Sequence, residues 1–223
     1  MIWTALQDRL AGILDLGGPV VALLMALSVL SLAVILYKLW QFGAAGVGRH
    51  RGLRRALEEI DRAQPGRASA TLRGSRSHLA PVLLRALEAP EEAAKERIEA
   101  EAAARLDRLE TGFRILDSIA QIAPLLGLFG TVLGMIDAFQ ALQDAGASVD
   151  PSTLAGGIWV ALLTTAAGLA VSMPTTLLLT FLESRVARER ALAEIAVETL
   201  FAPLPERASA PLGSRAGAAA HAG

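Results

Sequence analysis

Between Gly157 and Leu182 the chain reads GIWVALLTTAAGLAVSMPTTLLLTFL, with no Asp, Glu, Lys or Arg. Thr164, Thr165, Ser172, Thr175, Thr176 and Thr180 fall inside it. Hydroxyls in so apolar a run have two kinds of chemistry open to them. They can donate to carbonyls, one turn back or across to a neighbouring helix, and so help helices pack. Or they can line a pore and order water without titrating. On a helix, Gly157, Ala161, Thr164 or Thr165, Gly168, Ser172 and Thr175 or Thr176 recur every three to four residues and make one small, weakly polar face. A second run, SIAQIAPLLGLFGTVLGMIDAF, behaves likewise, with Pro124, Gly127, Thr131 and Gly134 on one face. Thr131, Thr164, Thr165 and Ser172 are therefore the candidate pore-lining hydroxyls. Gly127, Gly130, Gly134, Gly168, Pro124 and Pro174 are the candidate packing positions. Gly130 and Gly134 form a GxxxG, and Pro174 removes the helical bond to the carbonyl of Ala170. Intramembrane carboxylates usually mark proton paths, and the one carboxylate in these runs, Asp137, lies at the outer end of the second and reads as an interfacial, hydrated residue. A proton crossing here needs a titratable group from another polypeptide.

The elements that position these residues follow from the distribution of charge. The 223-residue chain is 53% hydrophobic and 19% charged. Three stretches lack charge altogether: Leu16 to Tyr37, Ser118 to Ile136 and Pro151 to Leu182. A helix needs roughly 20 apolar residues to cross about 30 Å of hydrocarbon, so three transmembrane helices are expected. The first has no basic n-region and is longer than a signal-peptide core, so it is read as a permanent anchor. Lys38, Arg49, Arg51, Arg54 and Arg55 follow the first span, Arg105, Arg108 and Arg114 precede the second, and Arg185, Arg188 and Arg190 follow the third. The connection AFQALQDAGASVDPST carries no Lys or Arg. The positive-inside rule then puts the N-terminus and this connection outside the cytoplasm.

The expected organisation is a periplasmic N-terminus (1–15), a first span (16–40), a cytoplasmic helical domain (41–112), a second span (113–142), a periplasmic loop (143–150), a third span (151–183), a cytoplasmic helix extension (184–202) and a disordered tail (203–223). The fold class is all-α, with spans two and three extended into the cytoplasmic domain. Asp150 suits the N-cap and Pro151 the first turn of the third helix, which at about 1.5 Å per residue outruns a bilayer. In RGLRRALEEIDRAQ, Leu53, Ala56, Leu57 and Ile60 lie at helical spacing. PGRASATLRGSRSH reads as a loop, with Pro65, Gly66 and Gly74 as breakers, and APVLLRALEA as a short helix ended by Pro90. Pro90 also fits the first position of the next helix, where Glu91–Lys95 and Glu101–Arg105 form i,i+4 pairs. Its stripe of Ile98, Ala102, Leu106, Leu109 and Phe113 suggests contact with neighbouring chains, and the helix is expected to run into the second span as one rod.

Several functions are excluded or disfavoured. No cysteine is present, so disulfides and thiolate metal sites are out. His50, His78 and His221 are scattered outside the spans and read as solvated. There is no Gly-rich phosphate loop, HExxH, GxSxG or pair of intramembrane carboxylates. No enzyme activity, metal, cofactor or nucleic-acid partner is expected.

APLLGLFGTVLGMIDAF followed by AGGIWVALLTTAAGLAVSMP resembles the paired signature of the MotA/TolQ/ExbB proton-channel family. The three-span layout is similar to its ExbB/TolQ-like branch. The resemblance implies a homopentamer in the bacterial inner membrane. It implies a dimer of ExbD/TolR-like single-span partners threaded through the pore, whose aspartate carries the proton, and indirect coupling to a TonB- or TolA-like protein. It further implies that Thr131 and Thr165 match pore threonines of the second and third spans. Many members read G-I-x-E-A-L where this chain has GIWVAL, so Val160 stands in place of a glutamate, one turn before Thr164 on the same stripe, and is counted with the candidate pore-lining residues. The partner aspartate is then left as the proton carrier. The function implied is conversion of proton-motive force into mechanical work at the cell envelope. The alternative is a non-conducting oligomeric membrane scaffold.

Overall fold

The computed structural model describes residues 2–88, 94–145 and 151–202. Among them the chain forms seven helices and no strand: α1 (Ile2–Ala45), α2 (Arg51–Asp61), α3 (Pro65–Arg73), α4 (Ala80–Glu88), α5 (Lys95–Glu110), α6 (Phe113–Ala145) and α7 (Pro151–Phe201). Three helical segments are long and apolar enough to cross a membrane: Gly18–Ala45, one within Lys95–Asp144 and one within Leu154–Phe201. Asp150, Pro90, Glu91 and the 203–223 tail, to which expectations were attached, lie outside the described residues. The described residues within 1–43 and 108–186 form one compact unit, and those within 44–107 and 187–223 form the other.

In the first unit, α1 is broken at Gly18, whose φ of 59° and ψ of −161° suit glycine alone. Pro19 then opens the membrane helix, where a missing N–H costs nothing. α6 and α7 pack through their small residues. A Cβ placed on Gly168 would lie 2.5 Å from the carbonyl oxygen of Ala123, and one on Gly127 would lie 2.9 Å from that of Thr164. Gly134 meets Ala161, and Gly157 meets Ala138. The paired numbers run in opposite directions, so the helices are antiparallel. Val20 and Leu24 of α1 close one side of the pair, clustering with Ala123 and packing against Leu126, Leu133, Ala167 and Val171.

Pro124 and Ser172 act as a pair across this seam. Proline at 124 has no N–H to offer the carbonyl of Ala120, four residues back. The Ser172 hydroxyl of α7 donates to that same carbonyl at 2.6 Å. A buried carbonyl is thus satisfied from the neighbouring helix rather than from its own.

The rod expected from α5 into α6 is interrupted. Thr111 and Gly112 form a turn, with Gly112 at φ 93°. Lys38 of α1, only 1% exposed, supports it. Its Nζ donates to the carbonyl of Leu109 at 3.1 Å and to Gln41 Oε1 at 2.7 Å. The last carbonyls of a helix lack internal partners, and a cation suits that end of the helix dipole.

In the second unit, Leu53, Ala56, Leu57 and Ile60 of α2 are buried. Of the loop expected over 65–78, residues 65–73 are instead the helix α3. Proline is acceptable at the first helical position, and Ala68 and Leu72, one turn apart, bury its inner face. The α5 stripe also corrects expectation. Ile98, Ala102 and Leu106 are buried within the chain itself, as are Ala193, Ala196 and Val197 of α7. Arg190–Asp107 (3.4 Å) and Lys95–Glu198 (3.3 Å) tie the same two helices. His50 and His78, read as solvated, are largely buried around Glu189 of α7.

Two outcomes test the seam. Ser172→Ala orphans the Ala120 carbonyl and is expected to cost about 1–3 kcal/mol in unfolding measured in detergent. In a Pro124→Ala background, where residue 124 regains its N–H, the same substitution is expected to cost well under about 1 kcal/mol. Equal costs in both backgrounds would contradict the pairing. Gly168→Ala is expected to lower stability by about 1–3 kcal/mol through overpacking. Gly156→Ala, with nothing within 4 Å of the new methyl, is expected to leave the unfolding temperature unchanged or slightly higher.

Candidate pore wall

The hydroxyls that share one sequence stripe are divided by the structure into two sets. Thr164 (3% exposed), Ser172 (9%) and Thr175 (1%) lie in the α6–α7 seam. Thr164 Oγ1 is 2.7 Å from the carbonyl of Ala161 and 3.2 Å from that of Gly127, and donates to one at a time. Thr175 donates back to Val171 at 2.7 Å. These groups are shielded by their own chain. Thr164 and Ser172, expected on a pore wall, therefore serve as packing groups in this structure. Val160, expected on the same stripe, sits at its edge. It is seven and eleven residues before Ala167 and Val171, so it shares their face, the one packed against the Val20–Leu24 cluster of α1.

The second set lies on the opposite flank of the seam. On α6, Pro124 and Thr131 are seven residues apart and share that flank, each half-buried. On α7 it carries Thr165, half-buried, with Thr176 and Thr180, both exposed. Thr165 donates to the carbonyl of Gly127 at 3.2 Å, Thr131 to that of Leu128 at 2.6 Å and Thr176 to that of Ser172 at 3.0 Å. A Cβ on Gly127 would touch the Cα of Thr165 at 3.0 Å. Thr131 is one turn beyond Gly127, so the two threonines stand within about 5 Å of one another in height. The stripe spacing left Thr176 as an alternative to Thr175 and did not include Thr180. Thr165 and Thr176 are eleven residues apart, three turns of a helix, which is the signal that aligns them.

Of the packing positions, Gly127, Gly130 and Gly168 are buried and Gly134 is half-buried. A Cβ on Gly130 would meet both Thr164 of α7 and Val20 of α1. Pro174 is exposed and stands outside the seam.

A threonine that donates to its own backbone keeps lone pairs with which to accept. Thr131, Thr165 and Thr176 can each accept a hydrogen bond from water or from a protonated carboxyl group. They can neither hold nor release a proton near neutrality. Among the described residues, no group of His, Cys, Asp and Glu side chains is arranged to hold a metal ion.

Residues 74–195 match the model of the MotA/TolQ/ExbB proton channel family. The biopolymer transport protein exbB1 of Vibrio cholerae is 46% identical over 67 residues, 30% of this chain and 29% of that protein. The putative biopolymer transport protein ExbB-like 1 of Synechocystis is 34% identical over 164 residues, 70% of this chain and 64% of that protein. A second Synechocystis relative, ExbB-like 3, is 27% identical over 183 residues, 80% of this chain and 87% of its own length. The chain thus spans under a third of the first of these and just under two thirds of the second. The match contains both α6 and the membrane part of α7, the two helices whose seam and flanking hydroxyls are described above, and on that ground the chain belongs to the MotA/TolQ/ExbB proton channel family, in its ExbB-like branch.

Proposed function

We propose that this protein is the channel-forming subunit of a proton-driven motor in a bacterial inner membrane. Copies of the chain, five in the arrangement the family resemblance implies, surround a pore with the flank bearing Thr131, Thr165 and Thr176 turned inward. α1 lies on the far side of the α6–α7 pair, toward lipid. The N-terminus and the α6–α7 connection face the periplasm, in keeping with the arginines that follow α1 and the membrane part of α7. One observation carries the reading: from Pro124 to Thr131 on α6 and from Thr165 to Thr180 on α7, the flank of two neighbouring membrane helices presents hydroxyls and no charge. Such a wall is suited to accept hydrogen bonds from a carboxyl group that another chain brings in. That chain is an ExbD/TolR-like single-span protein with an intramembrane aspartate. Its movement passes work to a TonB- or TolA-like protein, the coupling that the family resemblance implies. No covalent catalysis is involved.

Val160 favours a second reading, a scaffold of the same shape that does not conduct, because the glutamate of many relatives is missing. Proton flux into liposomes separates the two. Reconstituted with its single-span partner, the wild-type protein is expected to conduct, and absence of flux with an aspartate-bearing partner would leave the scaffold. Thr165→Val keeps the shape and removes the hydroxyl. A hydrogen bond accepted from a neutral carboxyl group is worth about 0.5–1.5 kcal/mol, so flux is expected to fall roughly twofold to tenfold. Val160→Ala trims an apolar side chain on the α1 side of the seam and is expected to leave flux within about twofold, since neither residue titrates. The reverse ranking would place the proton path on the α1 side of the seam.

A further inference from the structure

Away from the membrane helices, the second unit encloses a carboxylate that the proposed function does not use. Glu189, on α7, is 1% exposed. Its Oε1 accepts from the backbone N–H of Gly48 at 2.7 Å and lies 3.2 Å from His50 Nε2. Its Oε2 lies 3.8 Å from His78 Nδ1 and has no hydrogen-bond partner. Both ring nitrogens of His78 and Nδ1 of His50 are buried and without partners as well. The pocket is built by the chain around the carboxylate. Gly46 and Gly48, at φ 70° and 85°, turn the connection between α1 and α2 so that the Gly48 N–H points at Glu189. A Cβ on Gly46 would collide with the carbonyl of Arg76, two residues before His78. The connections on both sides are therefore pressed together over one side chain of α7.

The charges around the cluster are accounted for element by element. From α5, Arg105 donates to the carbonyl of His78 at 3.2 Å, and its guanidinium is also held by Glu101 at 3.3 Å. From α4, Arg85 pairs with the same Glu101. From α2, the buried Glu59 is engaged by Arg55 at 3.3 Å and by the Thr71 hydroxyl of α3 at 2.7 Å. On α7 itself, Arg190 pairs with Asp107. Glu189 is left facing two imidazoles. An ionised carboxylate buried this deeply needs a positive partner, and His50 beside it can be that partner. A proton added to His78 would sit buried beside Arg105 and close to His50.

We propose that His50, His78 and Glu189 form a protonation-dependent latch, which holds α7 to the α1–α2 and α3–α4 connections and opens as the surrounding pH falls. Burial first, then the charges of Arg105 and His50, lower the His78 pKa from 6.5 to about 4. The closed latch thus binds fewer protons than the open one. Its stability is full above about pH 6.5 and is lost progressively as pH falls from there toward 4. α7 also carries Thr165 and Thr176, so the latch acts on a helix that lines the proposed pore. The inference does not require conduction.

Hydrogen exchange of the full-length protein in detergent micelles tests it. After correction for the intrinsic exchange rate, opening at Gly48 and along α7 around Glu189 is expected to rise on the order of tenfold between pH 7 and pH 5. In His78→Gln the rise is expected to shrink to under about threefold. A flat profile in the wild type, or an unchanged rise in the variant, would overturn the latch. Histidine ¹³C spectra of the wild-type chain provide a reading independent of how well the variant folds. The chain has three histidines, and one imidazole is expected to titrate below about pH 5. Three imidazoles titrating near 6.5 would mean that His78 is hydrated and that no latch exists.

Discussion

Everything in the membrane unit depends on how closely the backbones of α6 and α7 approach one another. At Gly127 and Gly168 no side chain separates them, and a single added carbon at either position would meet a carbonyl oxygen of the opposite helix at under 3 Å. Lipid chains are as apolar as leucine, so burying apolar surface does little to hold two membrane helices together. Close approach instead gives dispersion contacts and hydrogen bonds. Thr164 and Thr165 lie within reach of the Gly127 carbonyl, and Ser172 reaches the Ala120 carbonyl that Pro124 leaves open. The seam joins small residues, hydroxyls and one proline into a single arrangement in which each depends on the others.

That approach also divides the polar groups. A threonine in the seam spends its hydroxyl on a carbonyl and is shielded by its own chain. A threonine one position further round the helix remains open to whatever lies beyond. Thr164 and Thr165 are adjacent in sequence and fall on the two sides of this division, at 3% exposed and half-buried respectively. From Pro124 to Thr131 and from Thr165 to Thr180 the flank beyond carries hydroxyls and no titratable group, which is why the proposed proton carrier is assigned to another chain. At the far end of α7 a carboxylate is fully enclosed, so one helix bears both the uncharged wall and a buried charge.

Much of this was legible in the residues. Charge-free runs marked the three membrane helices, because burying an unpaired charge in hydrocarbon is costly. The GIWVALLTTAAGL signature marked the family. The side of the helix was harder to read. A stripe at three- to four-residue spacing is too broad to show whether its centre is a seam or a pore, and Val160 and Thr165 lie on opposite edges of it. The Ser172–Pro124 pairing links residues distant in sequence, and no local pattern announces it. Pro65 misled as a breaker because proline stops a helix in its interior and starts one at its first position. His50 and His78 looked like isolated loop histidines, since Glu189 lies more than a hundred residues away in the chain.

The most direct test of this division uses cysteines, of which the natural chain has none. Single cysteines at 164, 165, 172 and 176, in the complex assembled with its partner in a bilayer, would be exposed to a small charged thiol reagent that cannot enter lipid or a dry seam. The account predicts that Thr165→Cys and Thr176→Cys react and that Thr164→Cys and Ser172→Cys do not. Reaction at 164 and 172 with none at 165 and 176 would put the water on the other side of the seam and contradict it.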